Sequence, residues 1–163
     1  MMAHERQGLV LKLLRFTGQN AERAELGFSD GLNVVYGASN TGKSFALKAI
    51  DFMLGSSTPL PAIAEREPYQ RAWLSVDLPE GGKITLRRAL AGGPFEVFSE
   101  VPASDDERTN QQLSARHDAH NADNLSQFLL EKIGLGNRQI AADVHGKKKV
   151  FKLSRFSSVL PGR

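Results

Sequence analysis

The 163 residues contain no cysteine, which excludes disulfides and thiolate-metal sites and is compatible with a reducing cytoplasm. No apolar run approaches the roughly 20 residues of a membrane-spanning helix, so no membrane partner is expected. The opening MMAHERQGLVLKLLRF places charges ahead of a short apolar stretch. Lys12 and Arg15 break that stretch and no small-residue cleavage site follows, so it reads as a first strand rather than a signal peptide. Internal repeats, heptads and low-complexity tracts are absent. The apolar share of 40% and charged share of 24% are ordinary for a globular protein, and the length suffices for one domain with a real core.

Neither sign of charge dominates: 21 Lys and Arg face 18 Asp and Glu, a net of +3. The distribution is uneven. Residues 138–163 hold Arg138, Lys147, Lys148, Lys149, Lys152, Arg155 and Arg163 against Asp143, a local net of +6 that leaves −3 for the rest. Such a stretch is either a solvated tail or a surface for DNA.

Hydrophobic spacing gives the elements. Val10 to Phe16 alternates as a strand, and residues 22–29 read as a second, closed by Ser29-Asp30-Gly31. Leu32 to Tyr36 is short, nearly all apolar and rich in β-branched and aromatic residues, the pattern of a buried strand in the middle of a sheet. Lys43 to Leu54 is helical material, with Phe45, Ala46, Ala49, Ile50 and Met53 near helical spacing and Gly55 as the stop. Residues 71–78, 83–90 and 95–101 read as an antiparallel meander, and 102–122 as a polar loop or mobile insertion. Leu125, Phe128, Leu129 and Ile133 then mark a second helix, capped by Asn124 or Ser126, and Val150 to Leu153 a last short strand.

One motif carries chemistry. Gly37-Ala38-Ser39-Asn40-Thr41-Gly42-Lys43-Ser44 fits G-x-x-x-x-G-K-[ST] at every fixed position, between an apolar strand and an amphipathic helix, with Phe45 following. In such a loop, small residues turn backbone N–H groups inward around a phosphate, and the helix adds the positive end of its dipole. Lys43 reaches the β- and γ-phosphates of ATP, and Ser44 offers its hydroxyl to Mg²⁺. A ligand-free Gly-rich turn explains Gly37 and Gly42 but not a cation at the positive end of a helix.

The arrangement "GLNVVYGASNTGKSFALKAIDFMLG", with Phe52-Met53-Leu54-Gly55 closing the helix and a meander after it, resembles the N-terminal half of a Rad50/SMC-type head, an ABC-class P-loop ATPase. The "SNTGKS" version is similar to bacterial SMC-like ATP-binding proteins. The likeness is strongest over residues 9–55 and looser to about residue 153. Asn40 stands where the commoner loop has Gly, and Asn tolerates positive φ best among the other residues. The resemblance implies an α/β fold, a mixed sheet around the P-loop helix with an antiparallel β subdomain. The whole chain would be one lobe: 1–55 with the P-loop and first helix, 71–101 the meander, 102–122 the loop, 123–163 a helix and basic tail. The implied setting is DNA repair, chromosome maintenance or phage defence. The implied partners are a C-terminal half of the head or a second head, with DNA.

The family's C-terminal half carries a signature motif, a Walker B Asp-Glu pair and a switch His, and no such stretches occur in this sequence. The chain is therefore expected to bind ATP·Mg²⁺ with no catalytic residue of its own, as a truncated product, an isolated domain or half of a split protein. Asp77, ending Ala72-Trp73-Leu74-Ser75-Val76, is the nearest Walker B candidate, but its alternation suggests a half-exposed strand. Gln127 and Gln139 read as structural rather than water-orienting, and His117-x-x-His120 as a solvated loop. Arg15 is a candidate base-reading residue by family analogy alone. Two rival readings are a self-sufficient small P-loop enzyme such as a nucleotide kinase, for which Arg87-Arg88 makes a poor lid, and a non-catalytic DNA- or partner-binding module using the basic stretch.

Overall fold

A computed structural model describes residues 8–38, 42–118 and 120–136, together with the backbone of two short strands at 139–141 and 148–150. The chain is an α/β protein. Strands β1 (Val10–Gly18) and β2 (Ala21–Gly27) form a hairpin, and helix α1 (Lys43–Met53) follows. A single 3₁₀ turn (Ala64–Arg66) leads into β3 (Arg71–Asp77), β4 (Lys83–Ala89), β5 (Phe95–Phe98) and β6 (Gln112–Leu113). Helix α2 (Leu125–Lys132) and the pair β7 (Gln139–Ala141) and β8 (Lys148–Val150) complete the order. Six strands make one sheet, β2-β1-β3-β4-β5-β6, and every pairing in it is antiparallel. No helix among the described residues is long and apolar enough to cross a membrane.

Alternation decides the two faces. Leu14 of β1, Ala72, Leu74 and Val76 of β3, Ile84 and Leu86 of β4, and Phe95 and Val97 of β5 join one core with Ala49, Phe52 and Met53 of α1. Leu125 and Leu129 of α2 belong to the same cluster. On the opposite face, Trp73 is buried, and its Nε1 donates to Thr17 Oγ1 at 3.0 Å. Arg87 lies 4.9 Å from the ring centroids of both Trp73 and Phe98. Its guanidinium donates to both Glu96 oxygens, at 2.6 and 2.8 Å, which holds the Glu96 carboxyl below its ordinary pKa.

Two expectations change. The sheet is antiparallel rather than mixed, because Leu32 to Tyr36 is not one of its strands. Among the described residues nothing pairs with this segment, and Leu32, Val34, Val35 and Tyr36 are 90, 70, 50 and 90% exposed. A segment apolar on both sides becomes a strand only where neighbours cover both sides, and none does here. Next, β3 is not half-exposed. Trp73 and Ser75 are as buried as Leu74, since the chain after β5 lies over the second face. Residues 102–118 form a mostly exposed loop, apart from the short β6, that is fastened to the sheet. Arg71 and Arg87 donate to Asp105 O at 2.9 and 2.7 Å, and Thr109 Oγ1 donates to Val97 O at 2.6 Å. The polar composition of this loop suits a cover over arginines and strand carbonyls. Of the expected strand at Val150 to Leu153, only Val150, in β8, lies within the described residues.

Asn124 is the cap of α2. It is buried, its side chain accepts from Gln127 N at 3.1 Å, and its amide donates to the carbonyls of Asp118 and Asn121. The buried Ser126 hydroxyl has no hydrogen-bond partner. Asn124→Ala is therefore expected to cost about 1–2 kcal/mol in urea unfolding, while Ser126→Ala costs under about 0.5 kcal/mol. Equal losses would mean that the cap is assigned to the wrong residue.

Candidate functional site

The loop-to-helix junction is built on Gly42. Its φ of 82° is left-handed, so the chain reverses there and enters α1 at the next residue. A Cβ at Gly42 would meet nothing, so the backbone conformation, not space, calls for glycine. Among the described residues no side chain caps the helix, and its first turn holds no acidic residue to meet the positive end of the dipole.

Lys43 and Ser44 occupy that first turn. Lys43 Nζ bends back over the loop and donates to Gly37 O at 2.9 Å and to Ala38 O. These carbonyls give the cation partners at an otherwise unfavourable end of a helix, a local compensation that sequence reading does not foresee. Ser44 is exposed beside it. Ser39, Asn40 and Thr41 lie outside the described residues, so the interior of the loop is defined here only by its two ends.

In front of this turn opens a cavity of about 1190 Å³. Gly37, Gly42, Lys43 and Ser44 line one part of it, and Phe16, Phe45, Ile63, Tyr69 and Leu90 line another. Phe16 reaches it because β1 alternation turns Leu14 and Phe16 toward α1. The Phe16 ring stands 5.6 Å from Phe45 and 6.1 Å from Tyr69. The segment carrying Ile63 and Tyr69 is fastened at several points. Arg66 donates to Leu60 O and Leu90 O, both at 2.8 Å, and to Pro61 O at 3.4 Å. Gln70 N donates to Thr17 O at 2.8 Å. Gly18 admits the closest approach, since a Cβ there would lie 2.0 Å from Pro68 O.

The donor set fits ATP·Mg²⁺: a lysine and a serine on one helical turn, a helix start with no side-chain cap among the described residues, and a roomy cavity beside them. Lys43 and Ser44 would hold the phosphates and the metal, whose chemistry is to neutralise phosphoryl charge. Among the described residues on the cavity wall, the one carboxylate is that of Glu65, which is exposed.

Other sequence candidates fall elsewhere. Asp77 ends β3 at the far end from Tyr69, about 20 Å from Arg71 by strand length, and lies 3.5 Å from Lys12. Arg15 points to the opposite face of the sheet and pairs with Glu25 at 2.6 Å, so it does not line the cavity. Gln127 is buried in α2, and the side chain of Gln139 lies outside the described residues. His120 is exposed, its N–H donating to Asp118 Oδ1 at 2.9 Å in a local turn. Among the described residues no group of three or more His, Cys, Asp or Glu is placed to hold a metal. Arg88 is committed to structure, as Arg87 is. Its guanidinium sits 4.0 Å from the Phe52 ring and 4.5 Å from the Phe95 ring and donates to Phe52 O at 3.1 Å, and burial lowers its pKa. The basic stretch at 138–163 lies outside the described residues apart from backbone in β7 and β8.

Sequence reasoning missed the aromatic wall. Its signals were present but separated: the parity of Phe16 in β1, a ring at the third helical residue, and Gly18 opposite Pro68-Tyr69.

Gly18→Ala is expected to lower thermal stability by several degrees and to expose Tyr69, read as a tyrosine signal more accessible to a collisional quencher. A wild-type melting temperature would mean that the close approach to Pro68 is not required. Compared with models of known protein families and with curated proteins, the chain matches none.

Proposed function

We propose that this chain is the nucleotide-binding lobe of a Rad50/SMC-like ATPase, holding ATP·Mg²⁺ at residues 37–45 and incomplete for hydrolysis by itself. The observation that carries this reading is the junction at Gly42: a left-handed glycine, then Lys43 and Ser44 on the first turn of α1, facing a cavity. On binding, Lys43 Nζ leaves the carbonyls of Gly37 and Ala38 for phosphate oxygens, and the first-turn N–H groups meet the same anion.

The exposed segment Leu32 to Tyr36 supports the partner part of this reading. It is exposed and, except for Asn33, apolar; the Asn33 side chain bonds to Ser29 and Gly31, and the segment directly precedes the loop. A C-terminal half or a second head would supply strands beside it, and ATP would join the two. The antiparallel order of the described sheet does not favour a kinase-like βαβ arrangement.

Two experiments test the reading. Purified chain is expected to bind Mg·ATP without steady turnover, and Lys43→Ala to weaken binding at least about tenfold. Absence of binding would overturn the nucleotide site, and steady turnover by wild type would overturn the incompleteness. Light scattering is expected to show concentration-dependent self-association that the double variant Val34→Lys, Tyr36→Lys reduces. A concentration-independent monomer would remove the support for a partner at this segment.

A further inference from the structure

Three arginines on the face of the sheet turned away from α1 converge on one residue of the loop after β5. Arg71 of β3 and Arg87 of β4 each donate through Nη1 to Asp105 O, at 2.9 and 2.7 Å. Arg23 of β2 places Nη2 3.3 Å from Asp105 Oδ1, and Arg71 Nη1 also stands 3.8 Å from Asp106 Oδ1. One loop residue thus ties together three strands of the sheet. Arg23, Arg71 and Arg87 are matched by Asp105, Asp106 and Glu96, three charges against three. Glu96 belongs to β5 and stays with Arg87 whatever the loop does, so two of the three matching charges travel with the loop.

The loop is fixed at both ends and held by polar contacts between them. It leaves the sheet at Phe98 and returns at Thr109, whose Oγ1 donates to Val97 O at 2.6 Å, followed by Gln111 O accepting from Val97 N at 3.0 Å. Across residues 99–108, Pro102 is buried, Val101 and Asp105 are half-buried, and the others are exposed. Apolar anchorage is therefore slight, and the arginine contacts carry most of the hold. The ion pairs are wet: the Arg23 and Asp105 side chains are 45 and 29% exposed, and those of Arg71 and Asp106 are 42 and 94% exposed. Pairs of that kind are weak and are screened by salt. Inside the loop, Glu107 N donates to Ser104 O at 3.2 Å and Asp106 N to Ser104 Oγ at 3.3 Å. This turn is closed on itself, so it can leave the sheet without coming apart. Beneath it lie the Arg87 guanidinium and the Trp73 ring, 4.9 Å from each other and both buried.

We propose that residues 99–108 are an electrostatic strap, fastened at Asp105, that opens as a unit while the sheet stays folded and so uncovers Arg71, Arg87 and Trp73. A segment with few buried apolar groups opens at a small fraction of the cost of global unfolding. Because its fastening is ionic, the strap responds to ionic strength, and the face beneath it passes from a charge-balanced surface to a cationic one with an aromatic ring at its centre.

The chain carries its own reporter, since Trp73 is the single tryptophan. The test follows acrylamide quenching of Trp73 in the full chain as NaCl rises from about 0.1 M to about 1 M, which shortens the screening length from about 10 Å to about 3 Å. Far-UV circular dichroism is read in parallel, and free N-acetyltryptophanamide corrects for salt acting on the quencher. The expected result is a rise of at least about twofold in the quenching constant with an unchanged dichroism spectrum. The double variant Asp105→Asn, Asp106→Asn is expected to show the raised quenching already at low salt and little further response. Quenching that ignores salt in wild type would overturn the strap. Quenching that rises only together with loss of the dichroism signal would overturn it too, because the sheet would then be opening rather than the loop. A double variant that keeps the full salt response would show that these two carboxylates are not the fastening. Should the double variant fail to fold, the wild-type titration alone decides the matter.

Discussion

Leu26, Leu14, Leu74, Leu86 and Val97 stand opposite one another across β2, β1, β3, β4 and β5. This apolar row fixes the register of the whole sheet. Because side chains alternate, a slip of one residue in a strand would send its share of the row to the other face. The site depends on this pairing at one remove. It is the register of β1 against β3 that sets Phe16 across from Ala72 and brings the start of β3, with Tyr69 and Gln70, to the end of β1.

Two adjacent arginines then fasten the layers on either side of that sheet. Arg87 faces the Trp73 side, where Phe98, Glu96 and the Asp105 carbonyl surround it. Arg88 faces α1 and reaches a carbonyl near the helix C-terminus, where the dipole favours a cation. Neither guanidinium is left as a bare buried charge, the arrangement that makes burial of arginine tolerable. Helix α1 is thus tied to the sheet at its last turn, while its first turn faces open space.

Much of this was legible in the sequence. The hairpin, both helices and the meander follow from period-2 and period-3.6 spacing, and α1 spans the expected residues to within one position. The motif from Gly37 to Ser44 marked the junction before any coordinates. What misled was the assumption that an apolar run must be buried by its own chain, as at Leu32 to Tyr36. A run of apolar residues records what a segment needs around it, not whether that cover is present. The burial of Trp73 and Ser75 was hidden for the converse reason: their cover comes from a polar loop after β5, and no local pattern announces which surface a polar loop will lie on. The aromatic wall was invisible because it joins residues separated by up to 53 positions through a contact at a single glycine.

The turn ahead of the exposed segment is held by a clasp. Asn33 accepts from Ser29 N at 2.9 Å and donates to Ser29 O at 2.9 Å and Gly31 O at 3.1 Å, and Asp30 pairs with Lys12 at 2.5 Å. Ordering a free residue costs on the order of 1–2 kcal/mol in backbone entropy. Here the direction in which the chain leaves the hairpin is set before anything pairs with it. A strand arriving alongside Val34 and Val35 would meet an edge already aimed, and the entropy of aiming it would not be charged to the association.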